Sequence, residues 1–203
     1  PTPEPVKTVR EEIESTGYQY IGGTSYDVTY TGGVIYQENG PDAGISLSEA
    51  PTGVVGVIKR DMDGDGEEEY LLVVLKHREQ DFLNNGKMDA ALYFEVYKEQ
   101  DGNLVLQGGT SDEDAYAVHI TEFFPNVKVV CSGTIVYVVE EAMAAFSADP
   151  GNSGASYTYT GTGFSCKRAE GMDGAIESEF TDPVANASEE DLLCQITIPQ
   201  IYD

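Results

Sequence analysis

In 203 residues the chain carries 11 lysines and arginines against 36 aspartates and glutamates, a formal charge of −25 at pH 7. A field of that sign repels phosphate backbones and anionic lipid surfaces, so nucleic acid is excluded as a partner. The length allows one domain with a sizeable core, and no apolar run approaches the ~20 residues that a membrane helix needs.

Pro1-Thr-Pro-Glu-Pro5 suits an extended tether, the start expected behind a removed signal peptide or a lipid-anchored Cys. Residues 6–203 read as a single β-rich domain. Val6, Val9 and Ile13, at i, i+3 and i+7, predict an amphipathic helix over Val6 to Ser15 that Gly17 stops. The period then changes to two. Tyr18 to Ile21, Tyr26 to Tyr30 and Val34 to Gln37 are short strands rich in aromatic and β-branched residues, cut by Gly22-Gly23 and Gly32-Gly33. Residues 38–52 read as a loop.

Asp61-Met-Asp-Gly-Asp-Gly-Glu-Glu-Glu69 follows, between the apolar runs Gly53 to Ile58 and Tyr70 to Leu75. Carboxylates this crowded repel one another unless a cation lies among them, and oxygen ligands at alternating positions suit the hard ion Ca²⁺. Asp61, Asp63 and Asp65 stand at positions 1, 3 and 5 of a calcium loop, Gly66 at the sharp turn, Glu67 at the position that offers a backbone carbonyl, and Glu69 at position 9. An EF-hand needs a bidentate Glu at position 12. That residue is Leu72, inside a strand-like run, so the expected element is strand, loop, strand, with Glu69 as the last ligand. The alternative is a solvated acidic turn that holds no metal.

This D-x-D-G-D-G-x-x-E loop ahead of a buried strand resembles the calcium loop of FG-GAP and VCBS-type repeats, the sheet units of integrin-α-like propellers and of many bacterial surface proteins. The likeness covers residues 53–109. Asn84-Asn-Gly86, a strand Ala90 to Lys98, a hairpin turn at Asp101-Gly102 and a strand Leu104 to Gln107 continue it. It implies an all-β fold of antiparallel, propeller-blade-like sheet units, a bound Ca²⁺, and a place outside the cell or anchored at a bacterial cell surface. Loops of this class bind at ~10⁻⁴ to 10⁻³ M and fill only where calcium is millimolar. A β-sandwich is the alternative architecture, since the chain holds about three such units and closed propellers usually need at least four.

Further strands are expected at Tyr116 to Ile120, Val127 to Cys131 and Thr134 to Glu140, with Ser132-Gly133 as a turn, then at Ser156 to Thr160, Gly163 to Lys167 and Leu193 to Ile198. Met143 to Phe146 fits a strand extension or a helical turn. Leu71 to Leu75 matches Ile135 to Val139 at an offset of 64 (71 to 135), and Ala91 to Tyr93 matches Ala155 to Tyr157 at the same offset. A degenerate second unit at 115–168 is one explanation and chance is the other. At that offset the calcium loop falls on Pro125 to Gly133, which has none of its aspartates.

Cys131, Cys166 and Cys194 fit no zinc spacing, which leaves buried thiols or one disulfide plus a free thiol. Gly151-Asn-Ser-Gly154 resembles the nucleophile loop of chymotrypsin-like serine proteases, with His77, Asp101 or Asp112, and Ser153 in the right chain order. The bulky Leu75 and Lys76 before His77 depart from that pattern, and Asp149 to Gly154 equally spells a hairpin turn. Paired glycosidase acids carry no signal among so many carboxylates. His119 reads as a strand residue, and the sequon Asn186-Ala-Ser188 is expected to be idle. The expectation is a secreted or cell-surface, calcium-stabilised β domain with a binding or structural role and no catalysis, its partner a protein or glycan at the cell surface, with a secreted hydrolase using Ser153 and His77 as the rival.

Overall fold

The computed structural model of the chain describes residues 9–20, 27–29, 53–77, 90–118, 126–141, 153–169 and 178–197. In chain order its elements are α1 (Val9–Glu14), β1 (Asp27–Thr29), β2 (Gly53–Arg60), β3 (Glu69–His77), β4 (Ala90–Gln100), β5 (Asn103–Gly109), β6 (Tyr116–Val118), β7 (Asn126–Ser132), β8 (Ile135–Glu141), β9 (Ser153–Tyr159), β10 (Phe164–Arg168), α2 (Ser178–Ala185) and β11 (Leu192–Thr197). The class is all-β with a short N-terminal helix, as expected.

β3 shows why Tyr70 to Leu75 is apolar without alternation. Leu71, Val73 and Leu75 enter a core shared by two sheets, whereas Tyr70, Leu72 and Val74 face a second cluster on the outer side, with Ile13, Tyr93 and Tyr97. A strand buried on both faces has no polar face to alternate with. In the first sheet β2, β3, β4 and β5 form an antiparallel meander, and β6 pairs with the first residues of β4. In the second sheet the order is β1-β11-β7-β8-β9-β10, antiparallel except for the parallel pair β1–β11.

Between the sheets Phe94 meets Tyr157 at 4.6 Å and Phe164 at 6.1 Å between ring centroids, both tilted. Such pairs add ~0.5–1.5 kcal/mol beyond the area they bury. The sheets also touch by backbone at two strand edges. A Cβ on Gly56 would lie 2.3 Å from the carbonyl oxygen of Leu193, and one on Gly108 would lie 2.3 Å from the carbonyl carbon of Thr162. Both glycines stand where the ladder register shifts, at bulges that bend an edge toward its neighbour.

The two stretches that match at the offset of 64 occupy corresponding places. β3 and β8 are the second strands of two four-stranded meanders, β2–β5 and β7–β10, and β4 and β9 are the third. Val73 pairs with Phe94 and Tyr137 with Ser156, so at that offset the two meanders differ in pairing by two residues, which preserves which side chains face inward. The hairpin corresponding to the acidic loop is the two-residue turn Gly133-Thr134 rather than Pro125 to Gly133, most of which is β7 itself.

Several expectations change. Ile13 is buried, but Val9, assigned to the same apolar face, is half exposed. Ser132 belongs to β7, and Ser153 and Gly154 belong to β9, paired with Glu140 and Val139, rather than to a turn. α2 was not expected. It packs Phe180 and Val184 against Val139 and Ala169 on the outer face of the second sheet. Val34 to Gln37, residues 38–52, Asn84 to Gly86, Met143 to Phe146 and Asp149 to Asn152 lie outside the described residues.

Candidate metal centre

The hairpin joining β2 to β3 closes on the pair Arg60 and Glu69, which leaves Asp61 to Glu68 as the loop. Met62 pins it from inside: its side chain is buried in the core between the sheets and its backbone N–H donates to Glu69 Oε2 at 2.8 Å. The aspartates then fold the backbone around themselves. Asp61 accepts from the N–H groups of Gly64 at 2.7 Å and Gly66 at 3.0 Å, Asp63 from Asp65 at 3.1 Å, and Asp65 from Glu67 at 2.8 Å. Carboxylates bonded to the backbone a few residues ahead hold a tight loop and point inward upon it. Gly64 and Gly66 have φ of +81° and +92°, and a Cβ at either would touch nothing, so conformation rather than space selects glycine there.

One carboxylate oxygen from each of Asp61, Asp63 and Asp65 lies within 4.8 Å of the other two. Oxygens ligating Ca²⁺ at about 2.3–2.6 Å stand up to ~5 Å from one another across the ion, so the spacing fits. The ion would be held by Asp61, Asp63 and Asp65; Glu69, the last predicted ligand, is not among the oxygens gathered within that distance. Glu69 is fully buried, and while Oε2 is bonded to Met62, Oε1 accepts no hydrogen bond among the described residues. A buried carboxylate oxygen in that condition demands a positive charge nearby.

Lys98 supplies one. It follows Tyr97, which pairs with Tyr70, so it stands beside Glu69 at the end of β4. Its Nζ lies 3.1 Å from Glu69 Oε1, in a contact of charge without hydrogen-bond alignment, and 3.5 Å from Asp63 Oδ2, and it donates to Asp65 Oδ2. The ammonium and the carboxyl stabilise each other's charge. Asp65 and Glu69 hold the Lys98 pKa above the ordinary lysine value, and Lys98, then the Glu67 N–H, hold that of Asp65 below the usual carboxylate value. Tyr159 closes the same end of the core. Burial raises its pKa, and the negative charges of Asp63 and Glu69 add to the effect.

Of the predicted ligands, Asp61, Asp63 and Asp65 are gathered together, and Glu69 joins Asp63 and Asp65 around the Lys98 ammonium. Glu67 enters through its N–H, with its side chain exposed like that of Glu68. Sequence reasoning missed Lys98, whose place depends on β3–β4 register. It also missed Arg60, which ties the base of the loop to the second sheet by donating to the carbonyls of Cys131 at 2.7 Å and Gly133 at 3.0 Å and to Asp191 Oδ1 at 3.0 Å.

Ser153 opens β9 with its Oγ 3.1 Å from the Tyr116 hydroxyl, which itself donates to the buried Glu140 at 3.1 Å. His77 ends β3 in the other sheet, opposite Ala90. Asp101 sits in the β4–β5 turn, and Asp112 accepts from the Tyr93 hydroxyl at 2.9 Å. His119 lies outside the described residues. All three cysteines are free thiols. Among the described residues no helix is long and apolar enough to cross a membrane.

No protein-family model, curated protein or solved structure matches the chain.

Proposed function

We propose that this chain is a calcium-stabilised β domain with a binding or structural role, without catalysis, acting outside the cell or anchored at a bacterial cell surface. One observation carries the reading: three aspartates converge within 4.8 Å on a backbone-braced loop, next to a fully buried glutamate whose Oε1 faces the Lys98 ammonium and accepts no hydrogen bond among the described residues. The likeness of Asp61 to Glu69 to FG-GAP and VCBS-type loops supports calcium over other cations and blade-like units over an unrelated sheet. The site is structural in kind. An ion joining Asp61, Asp63 and Asp65 to Glu69 would fasten the end of β2 to the start of β3, and through Lys98's neighbours to β4. Low-affinity loops fill only in millimolar calcium, which favours the extracellular setting. The partner fits a protein or glycan ligand met at that surface.

Equilibrium calcium binding to the whole chain, with Asp63→Asn as comparison, tests the metal. One ion bound per chain with a Kd of about 10⁻⁴ to 10⁻³ M, weakened at least tenfold by the substitution, supports the reading. Binding that the substitution leaves unchanged counts against it.

A further inference from the structure

We infer that Lys98 is a tethered competitor of the metal, an internal cation that holds the acidic loop together and must swing out before a divalent ion enters. The inference rests on the metal reading above and adds what sets its affinity. Asp63, Asp65 and Glu69 all pair with the Lys98 ammonium, and Asp63 and Asp65 also belong to the aspartate cluster. Two carboxylates, those of Asp63 and Asp65, are therefore common to both cations, and they cannot be close to both at once.

Burial decides against an ordinary surface ion pair. The side chain of Glu69 is 1 % exposed and Oε1 accepts no hydrogen bond among the described residues, so its charge is tolerated only while some cation faces it. Lys98 fills that role without metal, and the ion fills it with metal. The geometry permits the exchange: the ammonium rides on a flexible four-carbon stem that remains 23 % exposed, with solvent into which it can withdraw. Lys98 thus lowers calcium affinity by making the ion break existing pairs, and it preserves the hairpin when calcium is scarce.

Calcium titration calorimetry of the wild type, Lys98→Met and Lys98→Gln, together with melting of each in chelator, tests this. Lys59→Met serves as the control for charge removed from the same sheet, because the Lys59 ammonium lies over the Tyr70 ring instead. Both Lys98 variants are expected to bind calcium on the order of tenfold more tightly than the wild type and to melt lower in chelator, while Lys59→Met shifts affinity less than about twofold. A Lys98→Met protein that folds only when calcium is added supports the inference equally. Lys98 variants that bind with wild-type affinity, or that gain no more than Lys59→Met, overturn the inference and leave the metal reading intact. No calcium binding by any of the proteins overturns both.

Discussion

Arg60 and Asp191 meet at 3.0 Å across the two sheets, one at the end of β2 and the other just before β11. The carboxylate of Asp191 also accepts from the hydroxyl of Ser188 at 2.7 Å and from its N–H at 3.3 Å. Ser188 first, and then the Arg60 guanidinium, hold the Asp191 carboxyl below the usual carboxylate value.

A depressed folded pKa gives stability that is fully present above the unfolded value, ~3.9, and is lost as pH falls through the folded one. Asp191→Asn should therefore cost roughly 1 kcal/mol near pH 7 and progressively less in acid, since the wild type loses its own charge there. Denaturant unfolding of both proteins at several pH values checks it. A gap that keeps its neutral-pH size well below pH 3 would show that the charge contributes nothing.

Gly108 tests how closely the sheets are stitched. Its added Cβ meets backbone, 2.3 Å from the carbonyl carbon of Thr162, and backbone cannot rotate aside as a side chain would. Gly108→Ala should destabilise by about 1–3 kcal/mol, with Gly56→Ala close behind for the same reason at Leu193. Chemical denaturation measures this, and variants as stable as the wild type would mean that the edges stand further apart.

The thiols should react in a fixed order. Burial pushes Cys131 up to about 11 and Cys194 up to about 12, and thiolate is the reactive form. Cys166 is raised as well but is partly exposed. A disulfide-exchange reagent at pH 8 should label Cys166 first in the native protein, and Cys131 and Cys194 only on unfolding. Mass mapping that found Cys194 labelled in the native state would contradict the packing around β11.

What the sequence disclosed was local. The acidic loop, the β4–β5 turn with positive φ at both Asp101 and Gly102, and the doubly buried β3 rest on residues adjacent in the chain, whose chemistry acts at short range. Lys98 was illegible because a residue in the chain after Tyr97 says nothing of Glu69 until the β3–β4 register is known. The parallel pairing of β1 with β11 joins strands from opposite ends of the chain and left no local trace. α2 was hidden by poor helix formers, with Thr181 and Asp182 ahead of Pro183 inside the helix. Phe180 and Val184, four residues apart on the face that packs on Val139, were the sign that could have revealed it. Val9 errs in the opposite direction: a helix forms there, but α1 is short and buries only Ile13, which leaves Val9 half exposed.

Calcium-dependent stability is the most direct test of the central claim that Asp61, Asp63, Asp65 and Glu69 hold a structural ion. At calcium a hundredfold above Kd, linkage adds ~2.7 kcal/mol, or about 5–10 °C in Tm for a chain of this size. The melting temperature of the wild type should rise by that amount between chelator and excess calcium, continue to climb with the logarithm of the calcium concentration, and lose most of the rise in Asp63→Ala. A melting temperature indifferent to both chelator and millimolar calcium would contradict the account.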